Sequence, residues 1–363
     1  MREIQDASST KEVADHRGGN ELLRWRKTTK EFAMTIQVKS LVMMFVCIVL
    51  GGTWPLLAQQ KGQYVPGQYG LNAGVVPDPG FTYANITINY SASQLNNSSA
   101  NAVPGITGDY GFWATENILF YVPKAKFLGA HFAPYIVLPF ANGSLTASGP
   151  LGVAPFGVNA GGEGFADIWV EPVNLAWHFS RADINVGYGF VAPTGRYSSA
   201  PGTTNNVGSG YWGNDLTSGW TVYLTKNKGT TANLFTDWEG HGTKQGTNLT
   251  PGQAFTMEWG FGQVIPLDRQ FHRLFQFGVI GYDQWQVSYN HGTTPLGLPA
   301  RLVPFYSVHA AGLQANLILP AQGLTLTFKY EPEYSAKARP QGRTLVFSGV
   351  WNLRFPKEHA PKP

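Results

Sequence analysis

A single cysteine occurs in 363 residues, and charge is sparse: 26 Lys and Arg with 22 Asp and Glu make 13%. One cysteine excludes a disulfide scaffold. The charged fraction is about half of the ~25% usual in soluble domains. Long apolar runs are scarce too. A helical membrane protein needs several stretches of ~20 apolar residues, and only residues 41–50 (LVMMFVCIVL) come near. Beyond residues 24–30 (RWRKTTK) Lys and Arg are scattered, so no nucleic-acid partner is expected. The net charge of +4 is too weak to imply an anionic partner.

What the chain does have is 22 Phe, 16 Tyr and 11 Trp, with 43 Gly and 24 Pro. A disordered chain does not carry this many aromatics. Mean hydropathy is −0.14, so greasy and polar residues nearly cancel. These figures leave an all-β protein rich in aromatics, Gly and uncharged polar residues.

The N-terminus reads as an address. Lys39, the run 41–50 and the small Ala58 give a basic, apolar and cleavable order, which describes a secretory signal peptide. We expect the signal over 34–58, with cleavage after Ala58. Residues 1–33 are long and charged for a signal, so they read as a non-native extension or a misassigned start, with translation beginning at Met34. N-terminal sequencing of unprocessed precursor tests this; a chain beginning at Met1 contradicts it. Cys47 lies inside the signal, so thiol chemistry is not expected after cleavage.

From residue 59 onward, period-2 alternation replaces helical periodicity, which is the strand signal. Leu324, Leu326, Phe328 and Tyr330 share one face; Thr325, Thr327, Lys329 and Glu331 share the other, continuing to Glu333. Twelve such segments are expected, near 81–92, 112–122, 128–140, 164–179, 182–193, 213–226, 230–241, 255–267, 272–289, 303–319, 322–334 and 342–355. Long and tight connections alternate loosely between them, as in an up-and-down barrel with unlike rims. Tyr64, Tyr69, Phe81, Tyr90, Trp177, Phe179, Trp212, Trp220, Tyr289, Tyr330 and Phe355 gather toward strand ends, as interfacial girdles do. Pro134, Pro139, Pro172 and Pro266 oppose a ladder and belong at strand ends or bulges.

The alternative is a soluble sandwich or propeller. Low charge, strands of ten or more residues, and a polar face of Thr, Asn and Ser favour the membrane. The expected fold is therefore all-β: one transmembrane antiparallel up-and-down barrel over 81–355, behind a signal peptide. Residues 59–80, rich in Gly, Pro and Tyr, form a candidate plug, and 356–363 a tail. Only a closed barrel spans lipid without helices, so the bacterial outer membrane is the expected location and its lipid a partner. The last strand, ending at Phe355, is the expected signal to the barrel-assembly machinery.

Charges on the polar face belong in the lumen, because a midplane Lys or Arg facing lipid costs ~2–4 kcal/mol. Candidate lumen-lining residues are Asp167, Trp169, Glu171, Asp183, Phe235, Asp237, Glu239, Lys329, Glu331, Glu333 and Arg354. They read either as a salt-bridge network bracing the barrel or as a polar lining that filters a solute.

The mature chain also resembles the family labelled "putative MetA-pathway of phenol degradation". Carrying the likeness are 62–67 (GQYVPG), 77–81 (PDPGF), 164–172 (GFADIWVEP), 175–177 (LAW), 192–197 (APTGRY), 281–286 (GYDQWQ) and the strand from Gly342. The family implies a barrel of about twelve strands and passage of small hydrophobic or aromatic compounds. Residues 356–363, beyond the final aromatic, depart from the usual barrel ending.

Enzyme signatures are thin. There is no G-x-S-x-G elbow, no H-E-x-x-H and no P-loop, and the seven His after residue 58 stand apart. No cofactor or metal is expected. Three readings follow: a channel for small hydrophobic or aromatic solutes, a plugged structural or adhesive barrel, and a barrel hydrolase.

Overall fold

The computed structural model describes residues 62–353, apart from 152, 153, 201, 202, 204, 295 and 296. The expected signal peptide, the start at Met34, Arg354, Phe355 and the tail lie outside these residues. Fifteen strands occur: β1 (Gly80–Leu95), β2 (Thr107–Val122), β3 (Lys126–Phe127), β4 (Ala130–Phe132), β5 (Tyr135–Leu151), β6 (Ala154–Phe165), β7 (Ile168–His178), β8 (Ala182–Ala192), β9 (Gly213–Tyr223), β10 (Thr230–His241), β11 (Ala254–Pro266), β12 (Leu274–Gln286), β13 (Ser307–Leu319), β14 (Leu324–Lys337) and β15 (Pro340–Leu353).

Twelve of them close a ring. Each pairs antiparallel with its neighbour, β1 with β15 completes the circle, and β5 meets β7 through Tyr135–Glu171, Ile136–Val170 and Val137–Trp169. Closure leaves no open edge in lipid, which satisfies the backbone without helices.

Alternation sets the two faces. On β10, Phe235, Asp237 and Glu239 are buried while Trp238 is exposed; on β14, Lys329, Glu331 and Glu333 are buried while Leu326, Phe328 and Tyr330 are exposed. The outer face thus carries the apolar band expected against acyl chains. It is an outer-membrane β-barrel.

The rims differ. Connections 179–181, 224–229 and 320–323 are short, whereas 193–212, 242–253 and 287–306 are long. Short turns belong to the periplasmic side and long loops to the outside.

Four details depart from the sequence reading. First, residues 140–165, left there largely as connection, form a long hairpin of β5 and β6. Its Gly, Ala and Ser residues give alternation too little contrast to read. Second, β1 turns Ala84, Ile88 and Tyr90 inward, and its Asn85 and Thr87 outward, where Asn85 hydrogen-bonds Thr115 and Asn117 of β2. These polar groups satisfy one another. Third, Tyr64, Tyr69 and Tyr90 are interior rather than girdle residues. Fourth, Arg343 on β15 is exposed, so the expectation that strand charges face the lumen does not hold for it.

Prolines fall where a missing donor does little harm. Pro134 precedes β5, Pro172 sits in the β7 bulge between Val170 and Val173, and Pro266 ends β11. Pro139 stands where β5 leaves β7 for β6.

Candidate functional site: the occupied lumen

Residues 62–76 contribute no strand. They run down the interior from the long-loop rim, and 77–79 turn the chain into β1 at the other rim. At the top, Gln63 Nε2 donates to Ser209 Oγ (2.6 Å) and to the Tyr211 carbonyl (3.0 Å). At the bottom, Val76 packs with Val122, Ala133 and Ala176.

The middle of the segment is clamped by two wall residues of opposite charge. Glu258 accepts from Gly67 N (2.8 Å), Tyr69 N (2.7 Å) and the Tyr64 hydroxyl (2.6 Å). Lys329 Nζ donates to the carbonyls of Gly67 (3.0 Å), Gln68 (2.7 Å) and Tyr69. Charge-assisted bonds are roughly twice as strong as neutral ones. Above this clamp, Glu239 accepts from the backbone of Gln63 (2.5 Å) and Tyr64 (3.1 Å).

Lower down, amides and hydroxyls hold the segment. Leu71 N donates to Gln314, Asn72 N to Asn233, and Gly74 N to Thr221 Oγ1. The side chains of Asn72 and Gln276 exchange two bonds, 2.7 and 3.0 Å. Glycine makes the close approach feasible: a Cβ at Gly219 would lie 2.1 Å from the Ala73 carbonyl, and one at Gly74 2.1 Å from that of Asp183.

Aromatic rings fill the same level. Tyr69 stacks on Phe235 with centroids 3.8 Å apart at 10°. Tyr64 meets Phe235 at 5.6 Å and the edge of Trp169 at 5.8 Å, and Trp169 also meets Tyr135 at 5.9 Å. The segment supplies the two tyrosines Tyr64 and Tyr69, and the wall supplies the rest.

The predicted lining residues fall as follows. Asp167, Trp169, Glu171, Asp183, Phe235, Asp237, Glu239, Lys329, Glu331 and Glu333 are all buried. Glu239 and Lys329 grip the segment directly. Glu171 instead accepts from Tyr135 (2.8 Å), Asn174 (2.5 Å) and Thr217 (3.1 Å) on the wall. Asp183 pairs with His178 at 3.0 Å and bonds Tyr223. Glu333 meets Arg339 at 3.5 Å and Tyr90 at 2.9 Å. Asp237 has no hydrogen-bond partner for either oxygen.

Sequence reading missed Glu258, Glu116, Asp215 and Arg339. Glu258 shares its phase with Thr256 and Gly260, and alternation alone would have placed it inside. Arg339 sits in the two-residue turn between β14 and β15, where period 2 says nothing.

Two sequence motifs prove to touch. Asp167 accepts from Gly195 N (2.9 Å), Ser209 N (2.6 Å) and Ser209 Oγ (2.5 Å), while Thr194 Oγ1 donates to the Ala166 carbonyl at 3.1 Å. The carboxylate before β7 thus fastens both ends of the 193–212 loop.

The family described as "Putative MetA-pathway of phenol degradation" matches residues 92–348. The chain belongs to that family. The fold of this family member is similar to that of an outer membrane channel from Pseudomonas putida F1, with a TM-score of 0.59 and 15% identity, covering 80% of this chain and 99% of that one. It also aligns with the β domain of a Bordetella autotransporter, at TM-score 0.47 and 12% identity over 76% of this chain and 100% of that one. No curated protein matches the sequence significantly.

Catalytic geometry is poor. Asp283, His309 and Ser335 lie side by side on β12, β13 and β14, and His309 Nδ1 bonds Asp283 at 2.7 Å. No described hydrogen bond joins Ser335 to His309. Among the described residues, no group of three His, Cys, Asp or Glu is placed to hold a metal.

Proposed function

We propose that this barrel is an outer-membrane channel for small hydrophobic or aromatic compounds, with residues 62–76 as its removable closure. The aromatic cluster carries the reading. Tyr64 and Tyr69 cover Phe235 and Trp169 as an aromatic solute would, so the segment occupies the place it must vacate. Its hold is by side-chain hydrogen bonds and rings, not by a strand ladder, so leaving does not open the barrel.

With the segment in place, the cavity beside it measures about 70 Å³. An engineered cavity that takes up benzene is roughly 150 Å³. A solute therefore passes only after the segment moves. The similarity to the Pseudomonas putida outer membrane channel supports the reading at the level of architecture.

Ion current through bilayers holding the protein tests this. Phenyl glucoside should interrupt the current and methyl glucoside should not, and Phe235→Ala should remove the difference. Equal interruption by both sugars contradicts an aromatic path. The filled lumen favours one second reading, a permanently plugged structural barrel, for which folded protein shows no current at all.

A further inference from the structure

The upper lumen holds far more negative than positive charge. Ten carboxylates are buried in the described chain, against Lys329 and Arg339. Neither cation is free. Lys329 is spent on the three carbonyls of residues 67–69, and Arg339 on Glu333 and Gln284. Burying a carboxylate without a partner is costly, yet several oxygens have none. They are Glu116 Oε2, Asp215 Oδ2, Glu239 Oε1, Glu331 Oε2 and both oxygens of Asp237. Asp215 is 2% exposed and Glu116 7%.

Two of these carboxylates line one cavity. It lies between the luminal segment and the wall of β2, β5 and β7, and Glu116 and Asp215 border it. Phe112, Val137, Val191 and the ring of Trp169 supply most of the remaining surface, with Gln63, Gln68 and Asp167 as further polar groups, and Gln68 Nε2 donates to the other Glu116 oxygen at 3.3 Å. Unpaired acceptors thus share a small space with greasy and aromatic surface. Aromatic faces attract cations and repel anions.

We propose that this cavity is a cation site for the passing solute, taking the protonated amino group of a small amphipathic organic cation. The ammonium group sits at Glu116 and Asp215, and the apolar body lies against Phe112, Val137 and Trp169 as the segment withdraws. This rests on the channel reading for one point only, that the bound cation is in transit.

Quenching of tryptophan fluorescence by caesium and by iodide tests it on full-length folded protein, without any current. The contribution of Trp169 is wild type minus Trp169→Phe. Caesium should quench that contribution roughly tenfold more than iodide at equal ionic strength, as a focused negative field requires. The double variant Glu116→Gln, Asp215→Asn, checked for folding by heat-modifiable gel migration, should lose most of that preference. Iodide quenching as strong as caesium, no quenching by either, or an unchanged preference in the double variant overturns the proposal. Reversal potential in a potassium chloride gradient is the second arm. A silent bilayer with caesium-selective quenching removes the channel reading and keeps the cation site. A conducting, anion-selective pore does the opposite.

Discussion

Toward the short-turn rim, residues 71–74 meet the amides of Asn185, Asn233, Gln276 and Gln314 and the hydroxyl of Thr221, and none of these side chains has a buried polar atom without a partner. Toward the long-loop rim, residues 62–69 meet carboxylates, and there Glu116, Asp215, Asp237, Glu239 and Glu331 each keep an oxygen without a donor. One segment is thus held by two chemistries. Neutral amides both donate and accept, so they close a network among themselves. A carboxyl group has at most one donor, and none when ionised, so a surplus of them leaves oxygens without a partner. The lower half is built as an anchor, and the upper half as a surface awaiting positive charge.

Removing Lys329 should break this arrangement most severely. Lys329→Met strips the segment of three charge-assisted bonds and leaves Glu258 facing it without a counter-charge. Truncating one partner of a buried charge pair costs ~2–5 kcal/mol, enough to shift the segment's position at least ~30-fold. Conductance of the variant should rise accordingly in planar bilayers. Unchanged conductance would mean that the clamp does not hold the gate.

Lower contacts should matter less, one by one. Asn72→Ala removes the paired bonds with Gln276, at ~1 kcal/mol each. Amide hydrogen exchange of residues 71–74 should quicken roughly ten- to thirtyfold, while that of Gln63 and Tyr64 stays nearly constant. Equal quickening at both ends would show that the halves act as one unit.

Asp237→Asn should sharpen the contrast in the opposite direction. Asp237 stands near Asp215, Glu239, Glu171 and Glu258 with no donor of its own. Replacing it by the neutral isostere should stabilise the barrel, by ~1 kcal/mol on the scale of a single group, seen as a higher midpoint in thermal unfolding. Glu258→Gln, where three donors converge, should lower that midpoint. The smallest effect belongs to the lipid face: Asn117→Leu exchanges polar contacts among Asn85, Tyr83 and Asn117 for lipid contact and should shift stability by under ~1 kcal/mol.

Much of the barrel was legible because alternation is a local property. Lys329, Glu331 and Glu333 read as one face, and Phe235, Asp237 and Glu239 as another, before any pairing was known. The reading failed where side chains give no contrast, as in the Gly- and Ala-rich hairpin of β5 and β6. It also failed where a second layer reverses the rule. Ile88 and Tyr90 look like lipid-facing residues, yet they pack against Val65 inside, because the luminal segment offers them an apolar surface. The sites of contact were less accessible still. Which carboxylate grips the segment depends on pairings such as Tyr64 with Glu258, 194 positions apart. No spacing in a single sequence reports them.

The central claim is that residues 62–76 close a path that exists behind them. Its most direct test compares the bilayer conductance of the mature chain with that of a chain lacking those residues, both shown folded by heat-modifiable migration. A small or intermittent current is expected for the first and a larger, continuous, cation-selective current for the second. Equal conductance in the two folded proteins would contradict it.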